Sequence, residues 1–217
     1  MNRWARLAGV FYLITIVAGV FAEVFVRGRL VVRDDAAATA TNILTHEALY
    51  RSGLVADLIM LLAYVAVTLL LYLLLKPVNE PLSLLAAFFS LIGIAVLAVN
   101  CLNHVAPLLL LARDPSSTQS QSLALLALRL HARGYSISGV FFGTYCILIG
   151  YLTFKSGFVP RTVGVLMAIG GASYLADSFL LFLLPAVSVR LPDFTMLGGI
   201  GELALTLWLI VKGAKVS

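Results

Sequence analysis

The sequence has few charged residues for its length. Of its 217 residues, 12% are charged and 61% are hydrophobic, whereas a soluble domain is about one quarter charged and about half apolar. This scarcity excludes an ordinary soluble domain and indicates an integral membrane protein. The apolar residues form long continuous runs and do not alternate with polar ones, which favours membrane-spanning helices over a barrel.

Cysteine and histidine are also scarce, with two and three residues. Cys101 and Cys146 lie inside apolar runs, so the sequence contains neither a disulfide framework nor the paired spacing of a cysteine zinc motif. The net charge is +5, but the basic residues lie at the ends of the apolar runs, and no basic stripe with interleaved aromatic residues occurs. We therefore expect no nucleic-acid partner. The expected partners are the lipid bilayer and a small polar ligand or cation.

Six apolar runs approach or exceed the roughly 20 residues that a helix needs to cross a bilayer. They predict an all-α polytopic membrane protein, a bundle of six transmembrane helices forming a single domain over residues 1–217. The predicted crossings are residues 4–26, 54–75, 82–112, 130–154, 163–187 and 194–211. The third crossing is long, and a bend at Pro107 is expected. In the first long loop, residues 34–50 predict an interfacial helical segment with Asp34 or Asp35 as its N-cap.

The connections between the runs differ in length. Residues 76–81 ("KPVNEP") and 155–161 ("KSGFVPR") contain the Pro or Gly that ends a helix, and they predict tight turns. These basic turns favour a multi-pass topology with both termini in the cytoplasm. The first run has the basic start of a signal peptide. It continues through Val26, however, which is long enough to span, so we expect a retained helix.

Polar residues interrupt every apolar run and share one face of each predicted helix. Such faces are expected to point into the bundle, because lipid cannot satisfy polar groups. The candidate cavity residues are Glu23, Asp57, Asn100, Asn103, His104, His131, Tyr135, Asp177 and Glu202. At about 1.5 Å of rise per residue, and with successive helices reversing direction, these residues lie toward one membrane face. This one-sided placement predicts a cavity that is open to one side, and it argues against a continuous pore.

Several of these residues also have structural explanations. Asn100 and Asn103 are explained better by hydrogen bonds between helices than by binding of a ligand. Asp177 and Glu202 lie deeper, where a carboxylate is a functional candidate by default. The sequence therefore favours function for the two deep carboxylates and helix association for the two asparagines.

The two remaining carboxylates of the set, Glu23 and Asp57, lie near the ends of their runs. Carboxylates at that depth reach water, and arginines of the first loop, such as Arg27 and Arg51, are expected to pair with them. A structural ion pair and a functional site are equally consistent with this placement.

Three classes of function remain open. The best-supported hypothesis is the binding or transport of a cation, a proton or a small polar solute. The second is an intramembrane enzyme that acts near the lipid headgroups. In one form, His104, His131, Asp177 and Glu202 supply ligands to a divalent metal that activates water; in the other, a metal-free pair of carboxylates provides acid/base catalysis. No zinc spacing such as HExxH is present. The third is an accessory or structural membrane protein whose polar groups serve only helix association.

Several stretches have a distinctive order of residues, among them "RLAGVFYLITIVAGVFAEVFVRG", "RSGLVADLIMLLAYVA", "AVLAVNCLNHVAPLLLL", "LHARGYSISGVFFG" and "GELALTLWLIVKG". In these stretches the chain resembles a bacterial integral membrane family, domain of unknown function 4386, from about Arg3 to Gly213. The resemblance implies an integral membrane protein of the bacterial cytoplasmic (inner) membrane whose first segment is retained. It implies no particular chemistry.

Overall fold

A computed structural model describes residues 2–188 and 195–214 of the chain. Helices account for nearly all of these residues, and no strand occurs among them. The helices are α1 (Asn2–Leu30), α2 (Ala36–Thr45), α3 (Glu47–Leu75), α4 (Glu80–Arg113), α5 (Thr118–Ser156), α6 (Arg161–Leu183), the short α7 (Pro185–Ser188) and α8 (Thr195–Val211). The predicted all-α class is confirmed.

Five of these helices, α1, α3, α4, α5 and α6, are long and apolar enough to cross a membrane. The apolar part of α8, Met196–Val211, is shorter, and the predicted start of the sixth crossing at Phe194 lies outside the described residues. Large apolar side chains such as Leu62, Leu102 and Leu109 are exposed on the helices. A helix with an exposed apolar face suits contact with lipid chains, so the chain is a multi-pass membrane protein.

The helices begin and end at residues with a local physical reason. The Asp35 carboxylate accepts a hydrogen bond from the Ala38 N–H at 2.9 Å and caps α2. The Asn79 side chain accepts from the Leu82 N–H at 3.0 Å at the start of α4. Gly157 follows α5 with a φ of +74°, the left-handed conformation that glycine adopts most easily. The short turns before α4 and α6 therefore lie where the sequence predicts them.

Four of the helices, α1, α3, α4 and α5, extend beyond the predicted crossings. α3 begins at Glu47, seven residues before the predicted start at Leu54, and α5 begins at Thr118. α4 continues through Pro107 to Arg113. Hydropathy marks only the apolar part of a helix, whereas backbone hydrogen bonding continues into the polar residues at its ends. The polar segment 34–50 therefore comprises α2 and the first turn of α3.

The chain forms two compact units, each described below by itself. The first unit comprises residues 1–14, 63–95 and 136–217, and the second comprises residues 15–62 and 96–135. The helices α1, α3, α4 and α5 contribute residues to both units, because each of them contains a boundary. The whole of α2 belongs to the second unit, and α6 to α8 belong to the first.

Glycines bring the helices of the first unit close together. A Cβ atom added at Gly150 on α5 would lie 2.6 Å from the Gly164 carbonyl oxygen on α6. A Cβ atom added at Gly170 on α6 would lie 2.8 Å from the Gly198 Cα atom on α8. Small residues at helix crossings allow this approach between membrane helices, so α6 packs tightly between α5 and α8.

The second unit has an apolar core that includes Val26 on α1, Ile43 on α2, Tyr50 on α3 and Leu111 on α4. α2 buries Ala40 and Ile43 in this core, while its opposite face is exposed. The core therefore fixes α2 against the ends of the long helices. Buried polar groups of the candidate site lie in this same unit.

Candidate functional site

The last part of α1 changes its helical geometry. Residues Phe21–Arg27 form a π-helix, in which the Gly28 N–H donates to the Glu23 carbonyl five residues earlier. π-Helical turns are rare and occur frequently at functional sites. Within this segment Val26 is fully buried and Arg27 is only 6% exposed. The second unit therefore contains a buried guanidinium group.

The Arg27 guanidinium forms a bidentate ion pair with Asp57 on α3. Its Nη1 donates to Asp57 Oδ2 at 2.6 Å, and its Nη2 donates to Asp57 Oδ1 at 3.2 Å. Its Nε donates to Glu23 Oε2 at 2.8 Å. The two carboxylates differ in their surroundings, because the Asp57 side chain is 2% exposed and that of Glu23 is 65% exposed. Arg27 thus has one buried and one exposed anionic partner.

Tyr135 on α5 completes the hydrogen bonding of this ion pair. Its hydroxyl donates to Asp57 Oδ1 at 3.1 Å and accepts from Arg27 Nη2 at 3.3 Å. A buried ion pair is stable only when further hydrogen bonds satisfy its remaining donors and acceptors. Tyr135 contributes in this way to both partners.

His104 on α4 is fixed by Tyr50 on α3. Its Nε2 lies 3.2 Å from the Tyr50 carbonyl oxygen, and the Tyr50 hydroxyl donates to the His104 carbonyl oxygen at 2.7 Å. A carbonyl oxygen only accepts, so Nε2 carries a hydrogen, which leaves Nδ1 as the nitrogen available to a metal. This Nδ1 lies 3.2 Å from Arg27 Nη1 and 3.3 Å from Asp57 Oδ2.

His131 on α5 is held in the same way by Asn100 on α4. Its Nδ1 lies 3.1 Å from the Asn100 carbonyl oxygen, and the Asn100 amide donates to the His131 carbonyl oxygen at 2.8 Å. The hydrogen is therefore on Nδ1, and Nε2 has the lone pair. Among the described residues, this buried Nε2 has no hydrogen-bond partner.

The Asp57 carboxylate and the two histidine rings converge in the second unit. Asp57, His104 and His131 each present one ligand atom, and these three atoms lie within 4.8 Å of one another. Each ring is oriented by a backbone carbonyl on its other nitrogen. Metal-binding histidines in proteins are commonly oriented by such a contact. Imidazole and carboxylate are ligand types that bind divalent metals, and the Arg27 guanidinium contacts the same carboxylate.

The two asparagines connect helices. Asn100 joins α4 to α5 through its pair with His131, and the Asn103 amide donates to Asn100 Oδ1 at 2.9 Å. These contacts agree with the helix-association interpretation of both asparagines. Asn100 has an additional effect, because its carbonyl oxygen determines which nitrogen of His131 carries the lone pair.

Gly134 on α5 makes room for the Asn100 amide, and we expect Gly134→Ala to destabilise the protein. A Cβ atom at this position would overlap the Asn100 side chain, so the amide would have to leave the His131 carbonyl. We expect a loss of about 1–3 kcal/mol in the free energy of unfolding, as for other overpacked sites. The measurement is unfolding in mixed detergent micelles.

Gly199→Ala on α8 is the matched control for this substitution. A Cβ atom at Gly199 has no neighbour within 4 Å, so alanine should raise stability by up to about 1 kcal/mol through its greater helix propensity. If Gly134→Ala and Gly199→Ala change the free energy of unfolding equally, the Asn100 side chain does not restrict the size of the residue at position 134.

Comparison with known proteins assigns the family. The family model described as "Domain of unknown function (DUF4386)" matches residues 7–213. The chain belongs to the DUF4386 family. An uncharacterized protein of the archaeon Archaeoglobus fulgidus is 29% identical to this DUF4386 chain over 165 residues, which are 76% of the chain and 86% of that protein. No solved structure matches the chain.

The deep carboxylates of this DUF4386 protein, Asp177 and Glu202, lie in the first unit. Glu202 Oε1 lies 3.5 Å from the Tyr174 hydroxyl and 3.7 Å from Cys146 Sγ, and both groups donate to it. Asp177 is half-buried on α6. The role of these two carboxylates as metal ligands stays a prediction. The carboxylate that the structure brings beside both histidines is that of Asp57.

Two residues of the cluster are absent from the predicted set of cavity residues. The first is Arg27, which the sequence predicts only as an ion-pair partner of Glu23 or Asp57. The structure shows Arg27 paired with both carboxylates. Arg51, for which the same pairing was expected, pairs with Glu47. Tyr50, which binds the His104 ring, lies in a segment predicted as interfacial. Its position seven residues before Asp57, two helical turns away on the same face, is the signal that identifies it.

Proposed function

We propose that the second unit binds a divalent transition-metal cation through Asp57, His104 and His131. The observation that carries the proposal is the convergence of two oriented imidazole nitrogens and one carboxylate within 4.8 Å. Imidazole and carboxylate together are ligands of Zn²⁺ and of related first-row metals. The unpartnered Nε2 of His131 supports the proposal further, because a buried acceptor usually has a partner.

The distances fit this ligand set after a small adjustment. Zinc binds histidine nitrogen and carboxylate oxygen at about 2.0–2.2 Å, so tetrahedral ligand atoms lie about 3.3–3.6 Å apart. His104 Nδ1 and Asp57 Oδ2 are already 3.3 Å apart. The 4.8 Å limit for the group means that the remaining distances between ligand atoms would shorten by no more than about 1.5 Å on metal binding.

Arg27 and the metal cation would compete for the same carboxylate, that of Asp57. The guanidinium donates to both Asp57 oxygens and lies 3.2 Å from His104 Nδ1, which is the nitrogen that a metal would take. Like charges about 4 Å apart repel by roughly 4 kcal/mol at the effective dielectric constant of a protein. Glu23, which already accepts from Arg27 Nε, supplies an exposed partner for a guanidinium that leaves Asp57.

The proposal is tested by the zinc affinity of purified protein that carries no histidine tag. We expect one zinc ion per chain, and we expect Arg27→Gln to bind it about tenfold more tightly or better, because a competing cation is removed. Equilibrium dialysis with elemental analysis measures both quantities.

Arg51→Gln is the matched control, because Arg51 pairs with the exposed Glu47 and should leave the affinity unchanged. Absence of stoichiometric zinc from the wild type and from Arg27→Gln would overturn the proposal. If the folded Arg27→Gln variant binds zinc with unchanged or weaker affinity, the proposed competition between Arg27 and the cation is overturned.

Metal-dependent catalysis is the second candidate function, and one feature favours it. Three protein ligands leave the fourth position of a tetrahedral zinc site for water, as in catalytic zinc sites. The same three side chains, Asp57, His104 and His131, would hold the metal in both cases. Hydrolysis of a substrate by the zinc-loaded protein, abolished by a chelator, would distinguish an enzyme from a binding protein.

A further inference from the structure

The ends of several helices lie together at one end of the first unit. α6 and α8 run antiparallel, because Gly170 approaches Gly198 while Gly201 approaches the Leu166 carbonyl oxygen. The end of α8 therefore lies at the start of α6. A Cβ atom at Gly9 would lie 2.7 Å from the Ile210 side chain, which places the start of α1 there as well.

This end is strongly basic. The basic residues at these helix ends are Arg3, Arg6, Lys76, Lys155, Arg161 and Lys212. Among the described residues of the first unit, Glu80 is the acidic residue at a helix end, and it pairs with Lys76 at 3.2 Å. The other basic residues of this end form no ion pair with any described residue.

A cavity of about 470 Å³ opens within this basic end. The turn 77–79 lines one side, and Tyr151, Lys155, Ser156 and Phe158 line the other. It lies where α3 ends at Leu75 and α5 ends at Ser156. The ends of membrane-spanning helices lie at the level of the lipid headgroups, so this cavity is at the depth of a phospholipid phosphate.

The lining combines a cation with apolar walls. Lys155 makes no ion pair with any described residue, and its Nζ lies 5.9 Å from the centre of the Tyr151 ring. The Ser156 hydroxyl, which donates to the Thr153 carbonyl at 2.7 Å, and the Asn79 amide add polar groups. Pro77, Val78 and Phe158 are apolar.

We propose that this cavity binds the headgroup of an anionic phospholipid, with the phosphate beside Lys155 and the glycerol backbone against the apolar wall. The cavity suits an anion because Lys155 has no anionic partner among the described residues and the neighbouring helix ends add positive charge. The volume falls within the range of small-molecule sites, about 300–1,000 Å³. Basic cavities between membrane helices bind anionic lipid headgroups in other proteins. The site is independent of the cation site in the second unit.

The test measures the lipids that stay bound to the protein. The protein is incorporated into nanodiscs made of equal amounts of phosphatidylglycerol and phosphatidylcholine, and native mass spectrometry counts the retained lipids after release. We expect preferential retention of phosphatidylglycerol by the wild type and a reduction of about fivefold in Lys155→Gln, which is the effect of one basic residue near the lipid surface. Lys155→Arg should retain the preference.

Lys212→Gln is the matched control, because it removes the same charge from the same end outside the cavity lining. Equal losses of phosphatidylglycerol in Lys155→Gln and Lys212→Gln, or no loss in either, would overturn the proposal. Inorganic phosphate is then added to the wild type. Displacement of the lipid at phosphate concentrations similar to those of the lipid would assign the cavity to a soluble anion and overturn the lipid assignment.

Discussion

His131→Gln should weaken zinc binding by about 100-fold or more. Outer partners of metal ligands alone change affinity by about 10–100-fold, and loss of a direct ligand should equal or exceed that effect. Glutamine keeps a side chain of similar size, and the His131 carbonyl oxygen remains available to the Asn100 amide. Equilibrium dialysis against zinc measures the loss.

The control for this substitution is His46→Gln. His46 lies between α2 and α3, is exposed, and has its Nδ1 3.2 Å from the Asn42 carbonyl oxygen. It shares the residue type with His131 but lies outside the convergent group. We expect wild-type affinity. Loss of zinc in the His46 variant together with retention in His131→Gln would contradict the assignment of ligands.

Asp57→Asn should destabilise the protein by about 3–5 kcal/mol, which is the usual cost of removing one partner from a buried ion pair. The substitution leaves the Arg27 guanidinium buried without its bidentate partner, because Glu23 contacts only Nε and is largely exposed. The Tyr135 hydroxyl also loses a charged acceptor. The measurement is the free energy of unfolding in mixed detergent micelles, without added metal.

Glu47→Gln is the matched comparison. It removes the carboxylate of the Arg51 pair, in which both side chains are about half-exposed, and exposed pairs contribute about 0–1 kcal/mol. Replacing both Arg27 and Asp57 with leucine should restore much of the stability, because no charge then remains buried. An Asp57→Asn effect as small as that of Glu47→Gln would show that the Arg27 pair is not a buried charge pair in solution.

The fold class could be predicted from the sequence because it depends on the amino-acid composition of the chain. Long apolar runs can satisfy their backbone groups in lipid only as helices, and the Pro, Gly and Asn residues of the short turns end helices for local reasons. The helix ends were less predictable. α3 starts at Glu47 and α1 continues to Leu30 because hydrogen bonding, and not hydropathy, determines where a helix ends.

The site was predictable in part. Asp57, His104 and His131 were identified because ionisable groups are costly inside a membrane helix. Arg27 looked like a loop residue, because a basic residue directly after an apolar run normally marks its end. The π-helical geometry of Phe21–Arg27 has no signature in hydrophobic periodicity.

The selection of the carboxylate was the least predictable step. Counting residues gives depth along one helix, but it gives no information about which helices are neighbours. On that basis Asp177 and Glu202 were preferred to Asp57 as companions of the histidines. Only tertiary packing brings Asp57 to 3.3 Å from His104 Nδ1.

The proposed cation site is tested most directly by X-ray absorption at the zinc edge, on zinc-loaded protein carrying His46→Gln. The proposal predicts nitrogen and oxygen neighbours at about 2.0–2.2 Å, with the outer-shell scattering of two imidazole rings. A sulfur neighbour at about 2.3 Å would assign the metal to Cys101 or Cys146. Such a result, or the scattering of fewer than two rings, would contradict a site built from Asp57, His104 and His131.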